Sequence, residues 1–108
     1  MINEEKLDGL LLELGHDDYS QGTALLREAV KDYNGQLLTK VLYPQIAKRR
    51  GTTAARVERN MRYSIEKAWS RCPYDVQIKW FGNSIDPQTG RPQVGEYVAR
   101  LARICRDN

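Results

Sequence analysis

Two arginines and a tyrosine stand at positions i, i+3 and i+7 near the middle of the chain, as Arg56, Arg59 and Tyr63. That spacing places the three side chains on one face of a helix. An arginine guanidinium offers paired N–H donors that match the O6 and N7 acceptors of guanine, and an asparagine amide matches adenine in the same way. Because Asn60 lies beside them, these residue types predict hydrogen bonds to base edges in the major groove of DNA.

Glu58 lies in the same segment and has two interpretations. A carboxylate that faces DNA is repelled by phosphate unless it accepts a hydrogen bond from a cytosine N4 amine, so a groove-facing Glu58 would indicate sequence recognition. Alternatively, Glu58 is a surface partner of Arg62, four residues further on, and such a pair is worth roughly a few tenths of a kcal/mol. The side chains predicted to contact bases are Arg56, Glu58, Arg59 and Asn60.

Positive charge is concentrated around this helix. Residues 43–71 hold eight basic and two acidic side chains, a net charge of +6, whereas the whole chain carries +3. Such a local field favours a polyanion, although a solvated basic face is an open alternative. Lysine, hydroxyls and helix N-terminal amides are typical phosphate contacts that set register on DNA. The predicted phosphate contacts are Lys48, Thr52, Thr53, Arg62 and Tyr63, with Arg49 and Arg50 at the same end of the motif.

The element that must position these side chains is a long predicted helix over residues 53–71. Its other face carries an apolar stripe at helical spacing. A short helix, Tyr43–Arg50, precedes it, and Gly51 is able to adopt the positive φ that a tight turn needs. Thr52 or Thr53 is a suitable N-cap for the long helix. A short helix, a tight turn and a long helix form a helix-turn-helix. The apolar stripe consists of Val57, Met61, Ile65, Ala68 and Trp69.

The rest of the chain also shows helical spacing of its apolar residues. It predicts helices over 7–14, 22–33, 74–81 and 93–106, and a helical segment over 36–42 that Pro44 either ends or joins to the next helix. Residues 83–93 are predicted to form a loop. No segment alternates with a period of two, so no sheet is expected. The sequence predicts an all-α, compact six-helix orthogonal domain containing a helix-turn-helix, with residues 1–108 forming one domain.

Several classes of function find no support in the composition. The two cysteines, Cys72 and Cys105, form no CxxC pair, and His16 is the single histidine, so neither a metal site nor a cofactor is expected. His16 lies beside Asp17 and Asp18 and is interpreted as part of a polar loop, because the chain offers no nucleophile, base and orienting group for an enzyme. No signal peptide or stretch of about 20 apolar residues is visible, so a cytoplasmic protein without membrane association is expected.

Four stretches of the chain carry a family resemblance. They are LREAV at 26–30, TKVLYPQIAK at 39–48, TTAARVER at 52–59 and AWSR at 68–71, with weaker similarity at 81–82 and 92–99. The sequence resembles the C-terminal effector domain of the sporulation master response regulator of endospore-forming bacteria, the stage 0 sporulation protein A family. The resemblance implies a six-helix fold with a helix-turn-helix, binding to promoter boxes and contact with the sigma factor of RNA polymerase. It also implies base contacts by Arg56, Glu58 and Arg59, and phosphate contacts by Arg62 and the threonines that precede the helix.

The chain departs from the family pattern within the recognition helix. Ala55 stands where the family has a serine before the first arginine, and Asn60-Met61-Arg62-Tyr63 stands where the family has alanine-isoleucine-arginine-histidine. Asn60 and Tyr63 are expected to alter the preferred DNA site. The family's regulators also carry an N-terminal phospho-acceptor receiver, for which these 108 residues leave no room. A fragment of a longer regulator and a free-standing protein are both compatible with the sequence.

Two functions follow from these observations. The first is a sequence-specific, DNA-binding transcription regulator, of which two copies are expected to bind adjacent half-sites, since a single short helix rarely supplies enough affinity. The second is a helical protein–protein interaction module, with a sigma factor or another regulator as partner and no DNA binding. Binding through several phosphates weakens steeply with salt, so the salt response distinguishes the two.

Overall fold

The computed structural model describes residues 1–17 and 19–107, and Asp18 lies outside the described residues. No strands are present among the described residues, which fold into six α-helices, one π-helical turn and a short 3-10 helix, Gly82–Ser84. The predicted all-α, six-helix architecture is therefore confirmed. The helices are α1 (Glu4–Glu13), α2 (Gln21–Asp32), α3 (Tyr43–Arg50), α4 (Ala54–Arg71), α5 (Tyr74–Phe81) and α6 (Val94–Cys105).

The longest helix, α4, lies against a core to which every helix contributes. The whole apolar stripe of α4 is buried, as the sequence predicts. Burying a side chain such as Val57, Met61 or Ile65 is worth about 1.5–3 kcal/mol. The stripe therefore fixes the rotation of α4 about its axis. Its opposite face must then point to solvent. The aromatic centre of the core is a stack of Phe81 on Tyr97, with ring centroids 4.7 Å apart, and Trp69 meets Phe81 edge to face at 5.5 Å.

Close backbone contacts hold α4 against the N-terminal half of the chain. A Cβ atom added at Gly22 in α2 would lie 2.4 Å from the Asn60 carbonyl oxygen, and one added at Gly15 would lie 2.5 Å from the Ala68 carbonyl oxygen. Gly15, two residues after the end of α1, also has a φ of 99°. Only glycine fits at these two points, so α2 and the connector before it approach the α4 backbone directly.

The segment before α3 differs from the predicted helix over 36–42. It is a single π-helical turn, Leu38–Leu42, that runs without a break into α3. Gln36 is not helical. Its side chain accepts a hydrogen bond from the Asn34 N–H and donates one to the carbonyl of Asp32, the last residue of α2. Because Pro44 has no N–H and its ring would clash with the carbonyl four residues earlier, the wider π turn accommodates it.

His16 lies in the connector between α1 and α2, as predicted, but its interpretation as a polar loop residue is wrong. Its side chain is 4 % exposed, and its Nε2 atom lies 2.8 Å from the Tyr97 hydroxyl. Its Nδ1 atom lies 3.3 Å from the Ser64 hydroxyl, which in turn shares a hydrogen bond of 2.9 Å with Thr23. A buried imidazole requires such partners. His16 therefore joins α2, α4 and α6 rather than facing a substrate.

None of the helices formed by residues 1–17 and 19–107 is both long enough and apolar enough to cross a membrane.

Candidate nucleic-acid interface

The turn between α3 and α4 sets the start of the helix that carries the candidate site. Gly51 adopts a left-handed conformation with φ 65° and ψ 38°. The N–H of Thr52 donates to the Ala47 carbonyl at 2.9 Å, and the N–H of Gly51 reaches the Lys48 carbonyl at 3.4 Å. This pattern is a Schellman motif, in which glycine is favoured because the left-handed conformation is costly for other residues.

Thr53 caps α4, which resolves the choice between the two threonines. Its backbone is extended, and its hydroxyl accepts a hydrogen bond of 3.2 Å from the Arg56 N–H. The helix accordingly begins at Ala54, one residue after the predicted start. The predicted helix-turn-helix is present, because Ile46 and Ala47 of α3 and Val57 of α4 are all buried in the same core.

The outer face of α4 carries the residues predicted to contact bases and phosphates. Arg56, Arg59 and Tyr63 are exposed and lie opposite the buried stripe. Asn60 is half-buried, since its backbone packs against Gly22 at the edge of that face. The structure therefore brings Arg56, Arg59 and Tyr63 together on open surface, and it places Asn60 beside α2.

Glu58 and Arg62 occupy the other edge of this face. The Arg62 Nε atom lies 3.7 Å from a Glu58 carboxylate oxygen, so the surface pair considered from the sequence is present. The Arg62 guanidinium also lies over the Tyr63 ring, 5.8 Å from its centroid. At 3.7 Å this is a loose, partly exposed pair, and such pairs contribute about 0–1 kcal/mol. The pair is therefore easily exchanged for a stronger partner of either side chain.

The phenol of Tyr43 is buried beneath this edge. Burial raises the pKa of Tyr43 to about 12, and the nearby Glu58 carboxylate contributes in the same direction. Tyr43 is 4 % exposed and is the first residue of α3. Its ring thus connects the short helix of the motif to the Glu58 edge of the long one.

Besides Arg62, three of the eight basic residues of the motif have carboxylate partners. Arg49 pairs with Glu28 and Asp32, and Arg50 pairs with Glu28, so both arginines connect α3 to α2. Arg71 is similarly occupied, because it donates to the Gly15 carbonyl at 2.6 Å and contacts Asp17 at 3.1 Å. Among the residues that the structure describes, the exposed cations without a carboxylate partner on this motif are Lys48, Arg56 and Arg59.

Only part of the positive charge of residues 43–71 therefore remains uncompensated at the surface. Arg49 and Arg50 stabilise the fold, and their charges are largely compensated. Lys48 at the end of α3, and Arg56 and Arg59 on the outer face of α4, keep uncompensated charge on exposed surface. With the Thr52 and Thr53 hydroxyls between them, they form a strip that runs from the turn to the middle of α4. A strip of this chemistry matches a polyanion that also presents acceptor groups.

One neighbour of α4 could not be identified from the sequence. The loop between α5 and α6 folds back onto α4, where the Trp69 indole N–H donates to the Gly90 carbonyl at 2.9 Å. Arg91 of this loop lies 3.6 Å from Glu66. The loop contains two prolines and two glycines, and no local pattern reveals which helix it packs against.

The described residues include no group of three or more histidine, cysteine or carboxylate side chains arranged to hold a metal ion. Cys72 and Cys105 are buried free thiols, and burial raises the pKa of both.

The model of the family described as "Sporulation initiation factor Spo0A C terminal" matches residues 7–104 of the 108. The matched range includes the whole of α2 to α5 and all but the ends of α1 and α6. It therefore contains every residue of the strip described above.

Proposed function

Because the chain belongs to the Spo0A C-terminal family, a family of DNA-binding effector domains in sporulation control, we propose that it regulates transcription by sequence-specific binding of promoter DNA. Helix α4 lies in the major groove, and the promoter boxes are those of a spore-forming bacterium. The observation that carries this proposal is the two-sided character of α4. Its inner face is wholly buried, and its outer face presents Arg56 and Arg59 as exposed guanidiniums with no carboxylate partner among residues 1–17 and 19–107.

Each residue of the strip, and each of Glu58, Asn60, Arg62 and Tyr63 beside it, has an assigned role in this proposal. Arg56 and Arg59 donate to guanine, Glu58 accepts from a cytosine amine once it leaves Arg62, and Asn60 contacts adenine from the edge of the face. Releasing Glu58 costs little, because its pair with Arg62 is loose. The N-terminal end of α4 approaches a phosphate, which its free amides and its positive dipole favour. The phosphate contacts are Lys48, Thr52, Thr53, Arg62 and Tyr63.

Two copies of the chain bind adjacent half-sites, and RNA polymerase sigma factor is the proposed protein partner. The pairing of two copies rests on the small size of a single helix contact, and the sigma-factor partner rests on the family resemblance. An isolated contact by one recognition helix covers only a few base pairs, so a second copy supplies the remaining affinity and specificity.

The test is DNA binding by an Arg59→Ala variant, with Arg103→Ala as the matched control. Arg103 is an exposed arginine on α6, so both variants lose one surface charge. On a duplex selected by the unsubstituted chain, Arg59→Ala is expected to weaken binding by about 1–3 kcal/mol, roughly 5- to 150-fold, and to relax preference at one base pair. Arg103→Ala is expected to bind almost normally. Normal, equally selective binding by Arg59→Ala would contradict the proposal.

A competing function is a helical protein–protein module that does not bind DNA. The observation that favours it is an exposed apolar pair on α5, Tyr74 at 75 % and Ile78 at 43 % exposure, one helical turn apart. The salt dependence of duplex binding separates the two functions. A slope of several units in a plot of log K against log salt supports DNA binding, whereas a flat response or no binding to any duplex supports the protein–protein module.

A further inference from the structure

The loop that packs on α4 has a fixed shape. We call residues 85–93 the flanking loop. Asp86 and Arg91 pair as an antiparallel bridge, and the Gly90 N–H donates to the Asp86 carbonyl at 2.8 Å. The Gln88 N–H donates to the Asp86 carboxylate at 2.9 Å, and the Thr89 hydroxyl donates to the Arg91 carbonyl at 3.0 Å. These bonds hold the exposed tip of the loop in one conformation.

The flanking loop is also anchored to the proposed recognition helix. The Trp69 indole and Glu66 of α4 hold it through the Gly90 carbonyl and the Arg91 guanidinium. Glu58, Arg62 and Glu66 lie four residues apart, so they form one row along the edge of α4 that faces the loop. The loop is therefore a rigid second wall beside the helix.

A groove of about 460 Å³ separates the two walls. Glu58 and Arg62 line it on the side of α4, and Thr89 and Arg91 line it on the side of the loop. Thr39, exposed on the π turn, adds a second hydroxyl. The polar lining of the groove thus includes two guanidiniums and the Thr39 hydroxyl, which are donors suited to phosphate oxygens, whereas the Thr89 hydroxyl already donates to the Arg91 carbonyl.

The two carboxylates in this region do not exclude an anion. Glu58 lies 3.7 Å from Arg62, and Glu66 lies 3.6 Å from Arg91. Both distances exceed those of a strong charge-assisted hydrogen bond, about 2.7–2.9 Å. A guanidinium has five N–H donors, so each arginine keeps donors for a second partner.

From this arrangement we propose that the groove is a second binding site for the DNA backbone, in which Arg91 donates to a phosphate of the strand that Arg62 contacts. The inference rests on the proposed function, since it requires α4 in the major groove. A strand that passes Arg62 on this edge of α4 lies over the groove and meets the loop on its far side. The contact carries no sequence information, so it adds affinity and fixes the angle of α4 in the groove.

The test measures duplex affinity at several salt concentrations for Arg91→Gln, Arg91→Lys and Glu66→Gln, with Arg103→Gln as the matched loss of charge on α6. One phosphate contact contributes about 0.9 to the slope of log K against log salt. Arg91→Gln is expected to lower the slope by about 0.9 and to weaken specific and random duplexes by the same factor. Its deficit relative to the unsubstituted chain shrinks about threefold between 50 and 200 mM salt.

The other variants separate a phosphate contact from a structural role. Arg91→Lys keeps the charge and is expected to retain most of the slope. Glu66→Gln frees Arg91 and is expected to bind at least as tightly as the unsubstituted chain, and Arg103→Gln is expected to keep the full slope. If Glu66→Gln binds as weakly as Arg91→Gln, Arg91 acts only by holding the loop, and the inference is overturned.

Two further outcomes distinguish this inference from the proposed function. If the unsubstituted chain binds a selected duplex and Arg91→Gln matches it in affinity and slope, the inference alone is overturned, and an acidic peptide becomes the better candidate for the groove. If the unsubstituted chain binds no duplex, the proposed function fails and the inference fails with it.

Discussion

Replacing Gly22 by alanine tests how closely α2 must approach the proposed recognition helix. Gly22 is the second residue of α2 and is buried. An added Cβ would lie 2.4 Å from the Asn60 carbonyl oxygen and 2.9 Å from the Ser64 Cβ atom, both on α4. The first of these atoms belongs to the backbone of a long helix, so it has little freedom to move away. Either α2 or α4 must shift.

Two opposing contributions decide the sign of the change in stability. Alanine is favoured over glycine in a helix interior by roughly 0.5–1 kcal/mol, and by less in the first turn, where Gly22 lies. Overpacking a close-packed contact costs typically about 1–3 kcal/mol. The steric cost therefore exceeds the gain, and Gly22→Ala is expected to lower the free energy of unfolding by about 1–2 kcal/mol.

Gly9→Ala is the matched control. Gly9 lies in the middle of α1, is exposed, and an added Cβ would meet no atom within 4 Å. The same substitution is expected to raise stability there by roughly 0.5–1 kcal/mol. Urea denaturation gives both free energies, and in a domain of this size each kcal/mol shifts the melting temperature by roughly 4–8 °C. A Gly22→Ala variant as stable as the unsubstituted chain would refute the close contact between α2 and α4. So would a change of the free energy of unfolding in the same direction in both variants.

Two further perturbations address the motif itself. Thr53→Ala removes the hydroxyl that caps α4 and is expected to lower stability by about 1 kcal/mol in denaturant unfolding. Thr53→Ser keeps the hydroxyl and should retain most of the stability of the unsubstituted chain. An equal loss of stability in both variants would show that the hydroxyl cap is unimportant. Tyr43, whose pKa burial raises to about 12, favours the folded state while its phenol is protonated. Its contribution is complete below pH 10 and is lost as pH rises from 10 to 12, because the unfolded chain then releases the proton more readily. The free energy of unfolding should fall over that range by on the order of 2 kcal/mol, and the fall should be smaller in Tyr43→Phe. An identical alkaline profile in Tyr43→Phe would contradict this origin.

The helices were predictable because each carries its own local signals. The buried stripe of α4 repeats at helical spacing, Gly51 ends α3 and Thr53 caps α4, so the helix-turn-helix follows from a short segment of sequence. The observed ends of α4 lie within one residue of the prediction. The π turn, Leu38–Leu42, was not predictable, because Pro44 is compatible with either a break or a new first turn, and because the Gln36 side chain bonds to the backbone of Asn34 and Asp32 instead of lying in a helix.

Contacts between distant parts of the chain explain the remaining differences. The burial of His16 depends on Tyr97, 81 residues away, and on Ser64, and neither hydroxyl marks itself locally as a histidine partner. Arg49 is equally basic in the sequence whether it faces DNA or pairs with α2, so its occupation by Glu28 and Asp32 needed the tertiary structure. The surface of α4 was predictable from one helix, but the elements on either side of it were not.

The central claim is that the outer face of α4 selects a DNA sequence, and selection of bound duplexes from a random pool tests it most directly. The unsubstituted chain is expected to enrich one short motif, and the Arg59→Ala variant is expected to enrich the same motif with one position relaxed. Recovery of no motif, or of an unchanged motif by Arg59→Ala, would contradict the claim.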